Sequence, residues 1–199
     1  MRRKSTFKIT LICLFLIGCG FLVAIVFDAN PLAKTKPENR SLDQLFVDIG
    51  VEPNPDRTSR IEIRLQDLAG ADVDVSDFRG RVVFLNFWAT WCPTCVTEMP
   101  SMEKLHRKLM DKDFAVVSIS IQDSAAAVKR FFEQNKLSFT ALLDSTGKTV
   151  PGFGIREIPT TLILDKAGRI IGRVIGPREW DSRESIAMFD RLIDGDDAN

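Results

Sequence analysis

Residues 86–100 read NFWATWCPTCVTEMP, and this stretch decides the fold prediction. The nearly continuous apolar run at residues 81–87 is typical of a strand buried on both faces. Pro93 is favoured at the first position of a helix, because its missing N–H needs no partner there and its fixed φ already suits a helix. The sequence therefore predicts a buried strand, a turn, and a helix from Cys92 to about Met110.

Cys92 and Cys95 form a C-x-x-C motif within this stretch. As the N-cap of the helix, Cys92 would face free backbone N–H groups at the positive end of the helix dipole, which stabilises a thiolate. One helical turn separates the cysteines, a spacing of about 5 to 6 Å that a disulfide can bridge. We expect Cys95 to be the more buried thiol, and Glu98 is the acid nearest to it in sequence that could accept its proton. The competing interpretation of Glu98 is an ordinary glutamate of the helix surface.

The N-terminal region predicts a membrane anchor. Residues 9–27 contain no charged side chain, and a helix of that length covers roughly 28 Å, close to the hydrocarbon thickness of a bilayer. The basic segment 1–8 would stay in the cytoplasm by the positive-inside rule, with the rest of the chain on the far side. Cys13 and Cys19 would then be small apolar side chains facing lipid. Residues 16–19, LIGC, also resemble a lipobox, so a lipoprotein processed at Cys19 is the alternative.

A polar linker at residues 28–57 follows, and four prolines punctuate it. Only residues 41–49 within it show helical spacing of apolar side chains, and Ser41 with Gln44 fits a capping box for this short helix. We expect the helix to pack on the domain or on the membrane surface, and a partner-docking helix is the alternative. The remaining predicted boundaries are a domain at 58–193 and a tail at 194–199.

Within the domain, apolar patterning predicts strands. Period-two alternation from Ile61, with a turn at residues 69–70, predicts a hairpin ahead of the core. The short turn at residues 165–168 predicts a second antiparallel hairpin near the end. The predicted core strands lie at residues 81–87, 115–121, 139–143, 161–164 and 170–175.

Two further helices are predicted after the C-x-x-C helix. Asp123 fits the N-cap of one at residues 124–135, and Asp181 with Glu184 fits a capping pair for another at residues 182–193. Elements in this order predict an α/β domain with a mixed central sheet and helices on both faces. The C-x-x-C then lies just past the carboxyl end of a core strand, where open α/β sheets place their active groups.

WATWCPTC after an apolar strand, with a proline five residues past the second cysteine, resembles the thioredoxin superfamily. The anchor, the hairpin, Glu98 and the additional strand at residues 139–143 resemble its TlpA/ResA/CcmG-like branch of membrane-anchored extracytoplasmic thiol-disulfide oxidoreductases. The resemblance covers about residues 58–193. It implies a thioredoxin fold with an N-terminal β-hairpin and an inserted strand, preceded by one transmembrane helix.

The resemblance also implies roles for individual residues. Cys92 corresponds to the attacking thiol, Cys95 to the resolving thiol, and Glu98 to the acid near the site. No cofactor and no metal are implied beyond the redox-active disulfide. The implied substrate contacts are Trp91, Pro93, Thr94 and Ile158.

The run GIREIPTT at residues 154–161 resembles the cis-proline loop of the family. This implies a catalytic role for Pro159, with a cis peptide bond before it. Backbone groups of Ile158 would face Cys92 and could pair with an extended substrate, as in strand addition.

The sequence departs from the family at two positions. Asn86 stands where many thioredoxins carry a buried aspartate, which leaves Glu98 as the candidate base. Thr160 follows Pro159 where cytochrome c maturation reductases carry an acid, which weakens assignment to that pathway. The lone histidine, His106, borders an apolar stripe and is expected on the helix surface.

These patterns predict a thiol-disulfide oxidoreductase, and the leading hypothesis is a reductase of disulfides in exported proteins, such as apocytochrome c or copper-site proteins. The expected partners are the disulfide-bearing exported protein, a membrane electron-donor thiol reductase, and the lipid bilayer through residues 9–27. The expected location is the bacterial inner membrane, as a single-pass protein with a cytoplasmic N-terminus and a periplasmic or extracytoplasmic catalytic domain. Disulfide insertion, the reverse reaction, would use the same residues.

Composition and ligand counts argue against other classes. Residues 28–199 carry 23 basic and 27 acidic side chains, so no broad basic surface is expected and nucleic-acid binding is not predicted. Structural zinc needs four ligands, and the chain beyond the apolar segment has two cysteines. A Cu(I)-binding metallochaperone on a thioredoxin fold is the alternative function, because Cys92 and Cys95 are soft thiolate ligands. The usual copper-delivery relatives add a histidine near the proline loop, and this chain has none there.

Overall fold

A computed structural model describes residues 36–54 and 61–195 of the 199-residue chain. The chain divides into two compact units, residues 1–40 and residues 41–199. The predicted anchor at residues 9–27, with the basic segment before it and the two cysteines inside it, lies outside the described residues. None of the helices in the described ranges is long and apolar enough to cross a membrane.

The described part of the second unit contains eight strands and four α-helices. The strands are β1 (Glu52–Pro53), β2 (Arg64–Asp67), β3 (Asp72–Asp74), β4 (Val82–Trp88), β5 (Phe114–Ile121), β6 (Thr140–Asp144), β7 (Thr160–Leu164) and β8 (Ile170–Ile175). The α-helices are α1 (Leu42–Ile49), α2 (Pro93–Leu109), α3 (Ala125–Asn135) and α4 (Arg183–Asp194). Short 3₁₀ helices lie at Val75–Phe78 and Pro151–Phe153, and one in the first unit lies at Pro37–Asn39. The helices and core strands agree with their predicted bounds to within one residue.

The strands form one mixed sheet in the order β1-β8-β7-β4-β5-β6-β2-β3. β4, β5 and β6 run parallel to one another, and the other neighbouring pairs are antiparallel. The predicted mixed sheet, both hairpins and the additional strand β6 are confirmed. Because β4 is paired on both sides, by β5 and β7, the strand end that leads into the C-x-x-C is held firmly.

The two faces of the sheet are covered differently. Successive side chains of β4 point to opposite faces, as the pleat of a strand requires. Phe84 and Trp88 belong to a core cluster to which all four described α-helices contribute. Leu85 and Phe87 belong to a second cluster, which contains no α-helical residue of the described chain. The prediction of helices on both faces is therefore wrong for the described residues.

The segment between β6 and β7 shows how the second face is covered. The chain makes one 3₁₀ turn at Pro151–Phe153, which ends at Gly154 in the left-handed region with φ 59°. Proline and glycine at these positions favour turns over a continued helix. The ring of Phe153 lies 6.3 Å from that of Phe87, centroid to centroid. Aromatic packing from a turn thus takes the place of a helical layer.

Helix α1 belongs to the domain although it lies in the stretch predicted as linker. Ser41 and Gln44 form the predicted capping box, in which each side chain accepts the backbone N–H of the other residue. The buried face of α1 joins the core cluster, which confirms the expectation that it packs on the domain. Beyond it, β1 pairs with β8, so residues 41–54 close one edge of the sheet.

Two predicted helix caps are wrong by one residue. Ser124, not Asp123, is the N-cap of α3, and its hydroxyl accepts the Ala127 N–H at 3.2 Å. Ser182, not Asp181, is the N-cap of α4. Both acids have other partners, because Asp181 accepts from Lys104 and Asp123 faces the C-x-x-C turn. Local sequence allowed either residue as the cap, and these distant partners decided between them.

Gly172 in β8 lies where α1 and β1 approach the sheet. A Cβ added there would meet Cγ1 of Val51 at 2.6 Å, and Val51 is itself buried. Replacing Gly172 with alanine is therefore expected to lower the free energy of unfolding by about 1–3 kcal/mol through overpacking. Denaturant unfolding followed by circular dichroism measures this change.

Two variants serve as controls for this prediction. Gly152→Ala adds a Cβ that meets no atom within 4 Å, so its effect is expected to be small. The combination of Gly172→Ala with Val51→Ala removes the clashing methyl group, so the glycine substitution is expected to cost less in that background. An equal cost of Gly172→Ala with and without Val51 would contradict the packing argument.

Candidate active site

Cys92 is the N-cap of α2, as the sequence predicts. Its Sγ accepts the backbone N–H of Cys95 at 3.2 Å, and the Thr94 hydroxyl lies 3.4 Å from it. Pro93 takes the first helical position, where no donor is needed. The sulfur therefore lies where backbone N–H groups and the helix dipole favour a negative charge.

A disulfide joins Cys92 and Cys95, with an S–S distance of 2.18 Å and a Cα–Cα distance of 5.3 Å. Cys95 has no exposed surface, whereas Cys92 is 5% exposed. The prediction that Cys95 is the more buried sulfur is confirmed. Cys92 is thus the sulfur of the pair that another molecule can reach.

The proline loop lies against Cys92. The Ile158–Pro159 peptide bond is cis, as the resemblance implies, and the carbonyl oxygen of Ile158 lies 3.8 Å from the Cys92 sulfur. In the disulfide this sulfur carries no proton, so the contact is van der Waals, whereas the reduced thiol could donate to the carbonyl. The carbonyl of Pro159 accepts the Gly176 N–H at 2.8 Å, which ties the loop to the end of β8.

Glu98 lies inside the protein, with 2% of its surface exposed. Its carboxylate accepts three N–H groups: Nδ2 of Asn86 at 2.9 Å, Nε1 of Trp180 at 2.9 Å and the backbone N of Arg178 at 3.3 Å. Burial raises the pKa of Glu98 to about 7, and these donors with the Arg178 charge oppose the rise only in part. The interpretation as a surface glutamate is wrong. A carboxyl with a pKa near 7 can both take up and release a proton at neutral pH.

Asn86 lies between Glu98 and the sheet and is fully buried. Its Nδ2 also donates to Oγ1 of Thr161 at 3.0 Å, while its Oδ1 has no hydrogen-bond partner among the described residues. Protonated Glu98 needs an acceptor, and rotation of the Asn86 amide would present Oδ1 to it. The residue that replaces the thioredoxin aspartate can therefore serve either protonation state of Glu98.

The family of this chain follows from its match to a known protein family. A family model described as Redoxin matches residues 52–188, more than half of the sequence. The chain belongs to the Redoxin family.

Individual relatives agree with this redoxin assignment. The thiol-disulfide oxidoreductase ResA of Bacillus thuringiensis subsp. konkukian is 35% identical over 118 residues, which cover 59% of this chain and 68% of ResA. The structure of a thiol:disulfide interchange protein described as DsbE, from Chlorobium tepidum, is similar with a TM-score of 0.62 and 28% identity, over 70% of this chain and 99% of that one. A secreted thiol-disulfide isomerase from Corynebacterium glutamicum gives 0.64 and 27%, over 72% and 90%. This redoxin is a thiol-disulfide oxidoreductase of the TlpA/ResA/CcmG-like group, with a thioredoxin-like fold.

The predicted substrate contacts of this redoxin adjoin the disulfide at the surface. Trp91 is 58% exposed, Pro93 and Thr94 are exposed beside it, and Ile158 is half-buried. Two surface cavities of about 650 and 310 Å³ have no cysteine in their lining, although the smaller one is lined by Glu157 and Thr160, on either side of the Ile158–Pro159 bond. A cysteine with a small exposed area, preceded in the chain by a large exposed apolar ring and not enclosed in a cavity, suits a protein substrate better than an enclosed small molecule.

Asp123 is a second buried carboxyl at the site, a role that differs from the helix cap predicted for it. It is 7% exposed, and it accepts the backbone N–H of Thr90 at 2.7 Å and the Thr90 hydroxyl at 2.6 Å. Thr90 lies two residues before Cys92, within WATWC. The sequence does contain a signal for this role, because Asp123 follows a buried strand at the sheet edge that carries the motif. Its position just before a helix, however, equally favours a role as a helix cap.

His106 differs from its expected place on the helix surface. The imidazole is half-buried, with its ring 6.2 Å from that of Phe139 in an edge arrangement, and its Nδ1 has no hydrogen-bond partner among the described residues. Burial lowers the pKa of His106. Across residues 36–54 and 61–195, no three His, Cys, Asp or Glu side chains are grouped as metal ligands would be.

The raised pKa of Glu98 makes the stability of the oxidised redoxin depend on pH. Between about pH 4.5, where Glu98 ionises in the unfolded chain, and about pH 7, where it ionises in the folded one, the unfolded state loses its proton first. Folding is therefore favoured less as pH rises through this window, by about 3 kcal/mol in total. Glu98→Gln imitates the protonated acid, so its stability relative to wild type is expected to increase by that amount between pH 4.5 and pH 8.

Urea unfolding at several pH values measures this difference. Glu103→Gln is the matched control, because Glu103 lies on the same helix, is 7% exposed and also accepts three hydrogen bonds. Its pKa is lowered from its usual value, as the donors from Ser138 and Arg107 together outweigh burial, so its contribution is lost only in more acidic solution. A Glu98→Gln curve parallel to wild type from pH 4.5 to pH 8 would show that Glu98 does not titrate as stated.

Proposed function

We propose that this redoxin is a membrane-anchored extracytoplasmic reductase that reduces disulfides in exported proteins. The observation that carries the proposal is the unequal placement of the two sulfurs. Cys92 is reachable and lies at the N-terminus of α2, whereas Cys95 is fully buried, one helical turn before a buried carboxyl with a pKa of about 7. Such a pair is suited to attack by one sulfur and internal resolution by the other.

Cys92 acts first in the reduced enzyme. Its thiolate attacks one sulfur of the client disulfide, the client S–S bond breaks, and the other client sulfur leaves as a thiolate that takes a proton from water. A mixed disulfide between Cys92 and the client results. The helix terminus favours the thiolate of Cys92 and also makes this sulfur a good leaving group for the second step.

Cys95 completes the exchange. Glu98 accepts the proton of the Cys95 thiol, and the thiolate attacks the Cys92 sulfur, so the mixed disulfide breaks and the second client sulfur leaves. Two electrons have then passed to the client, whose second sulfur, like the first, leaves as a thiolate and takes a proton from water, while Glu98 releases the Cys95 proton to solvent. Cys92 and Cys95 are then joined as in the structure. A membrane thiol reductase is the proposed electron donor that restores the dithiol.

The client is held by backbone and by apolar surface. The carbonyl of Ile158, 3.8 Å from the Cys92 sulfur, is placed to accept an N–H from an extended client segment beside its cysteine. The exposed ring of Trp91, with Pro93 and Thr94, supplies the neighbouring contact surface. Hydrogen bonds to the client backbone depend little on the client's side chains. This fits a reductase with more than one exported client, apocytochrome c and copper-site proteins among them.

The sequence supports the location. Residues 9–27 lack charge and follow a basic segment, which favours a single inner-membrane span with the domain outside the cytoplasm. A structural relative is itself described as secreted. No observation in the described residues favours the copper-carrier alternative.

The cysteines are expected to contribute unequally to activity. Cys92→Ser is expected to abolish reduction of insulin or of an apocytochrome disulfide, because the attacking sulfur is gone. Cys95→Ala is expected to stop turnover after the first step and to accumulate a mixed disulfide that dithiothreitol releases. Gel analysis under non-reducing conditions, with mass spectrometry of the trapped partner, measures both effects. Undiminished turnover in both variants would contradict the mechanism.

The location is tested by labelling Cys92 in whole cells. After mild reduction, a membrane-impermeant maleimide is expected to label the full-length protein in spheroplasts as completely as in lysed cells. A cytoplasmic protein with an exposed cysteine serves as the control and is expected to react only after lysis. Labelling of Cys92 only after lysis would place the domain in the cytoplasm and overturn the proposed location.

A further inference from the structure

The carboxylate of Asp123 lies behind the turn that carries Cys92. It accepts the Thr90 N–H at 2.7 Å, the Thr90 hydroxyl at 2.6 Å and the Ser120 hydroxyl at 2.7 Å. In all three contacts the carboxylate oxygens are the acceptors. Two of the three fix Thr90, which precedes Cys92 by two residues.

The backbone before Asp123 is shaped to deliver this contact. Gln122, the residue after β5, has φ 55°, and it is one of two non-glycine residues in the left-handed region within the described ranges. Its N–H is held by the carbonyl of Asp144 at 3.0 Å. A left-handed conformation at a residue other than glycine persists only where surrounding contacts impose it, and such residues cluster at functional sites.

Asp123 has no counter-ion among the residues that the structure describes. No lysine, arginine or histidine within the described residues forms a salt bridge with it. Glu103 provides the contrast, because it has the same 7% exposure and a similar set of donors but pairs with Arg107 at 2.6 Å. A buried carboxylate held only by neutral donors keeps its charge uncompensated.

We propose that Asp123 is a positioning residue of the thiol-disulfide reaction: it anchors the turn that presents Cys92, and its negative charge makes the reduced cysteine pair more strongly reducing. The charge opposes the stabilisation that the N-terminus of α2 gives to the Cys92 thiolate. A less stabilised thiolate makes the dithiol form less favourable, so the pair gives up its two electrons to a client disulfide more readily.

The expected size follows from distance. Two residues of chain span at most ~7 Å, so the carboxylate that binds the Thr90 N–H lies on the order of 10 Å from Cys92. At an effective dielectric constant of about 20, one charge at that distance changes the thiolate population by a factor on the order of ten. A more stable thiolate is also a weaker nucleophile, and this lowers the rate by about the square root of that tenfold gain in population. The net change in rate is therefore about threefold.

Asp123→Asn removes the negative charge of the side chain but keeps an acceptor for the Thr90 N–H. The substituted amide oxygen, in the place of Oδ2, can still accept the Thr90 N–H and the Ser120 hydroxyl, and the Thr90 hydroxyl can rotate to accept from the new NH₂ group. With Cys95→Ser in the background, iodoacetamide is expected to alkylate Cys92 about threefold faster at pH 6 in the Asp123→Asn protein than in the parent. With both cysteines present, the equilibrium with glutathione is expected to shift severalfold towards the dithiol.

The control variant is Glu103→Gln, which removes a carboxylate of equal burial whose partners lie away from the cysteines. It is expected to leave both measurements unchanged. The other charged or titratable groups near the cysteines and the proline loop, Glu98, Arg178, Arg156 and Glu157 among them, are the same in all variants. An Asp123→Asn protein with the alkylation rate and glutathione equilibrium of the parent, or a Glu103→Gln protein that changes as much, would overturn the role of the charge.

Asp123→Ala tests the anchor, with hydrogen exchange of the Thr90 amide as the measurement. Exchange is expected to accelerate at least tenfold in this variant and to stay slow in Asp123→Asn, whereas slow exchange in Asp123→Ala would overturn the anchoring role. The inference rests on the proposed roles of Cys92 and Cys95 but not on exported clients. If wild type fails to reduce client proteins while Asp123→Asn still shifts the glutathione equilibrium, the proposed function fails and the inference stands.

Discussion

The position of the Cys92 sulfur at the first turn of α2 is the constraint on which the rest of the site depends. The sulfur accepts the Cys95 N–H, so the same atom caps the helix and carries out the chemistry. Its place is fixed from several directions. β4 is paired on both sides and delivers the chain to the turn, and the proline loop closes over the sulfur at 3.8 Å. A helix terminus stabilises a thiolate only while the sulfur stays next to the N–H groups of the first turn. The sheet and the proline loop keep the Cys92 sulfur in that place.

Two buried carboxyl groups, those of Glu98 and Asp123, have different environments. Glu98 is surrounded by Trp180, Asn86 and the Arg178 backbone, and burial dominates, so it can exchange a proton near neutral pH. Asp123 accepts one N–H and two hydroxyl groups, pairs with no cation in the described part of the chain, and holds the backbone of Thr90. Glu98 therefore suits proton transfer and Asp123 suits positioning. In the sequence the two look alike, since each is an acid a few residues from the C-x-x-C or from a β-strand.

The differences between predicted and observed structure have particular causes. Ser41 and Gln44 were predicted correctly as a capping box because both partners lie within one helical turn. The caps at Asp123 and Asp181 were wrong because each acid has a partner far away in sequence, Thr90 and Lys104, and the adjacent serine then serves as the cap. Helices were expected on both faces because strand-helix-strand units usually place them there. The turn at Pro151–Phe153 covers the second face instead.

The sequence by itself determined the strand, turn and helix around WATWCPTC, the capping sulfur, both hairpins and the family, because these depend on residues within a few positions of one another or on a repeating apolar pattern. Only the tertiary structure decided that Glu98 is buried and titrates near neutral pH, since Trp180, 82 residues away, closes over it. The same holds for Asp123, whose contact with Thr90 joins residues 33 positions apart. Desolvation and hydrogen-bond partners come from whichever segments the fold brings together, and a single sequence does not state which segments those are.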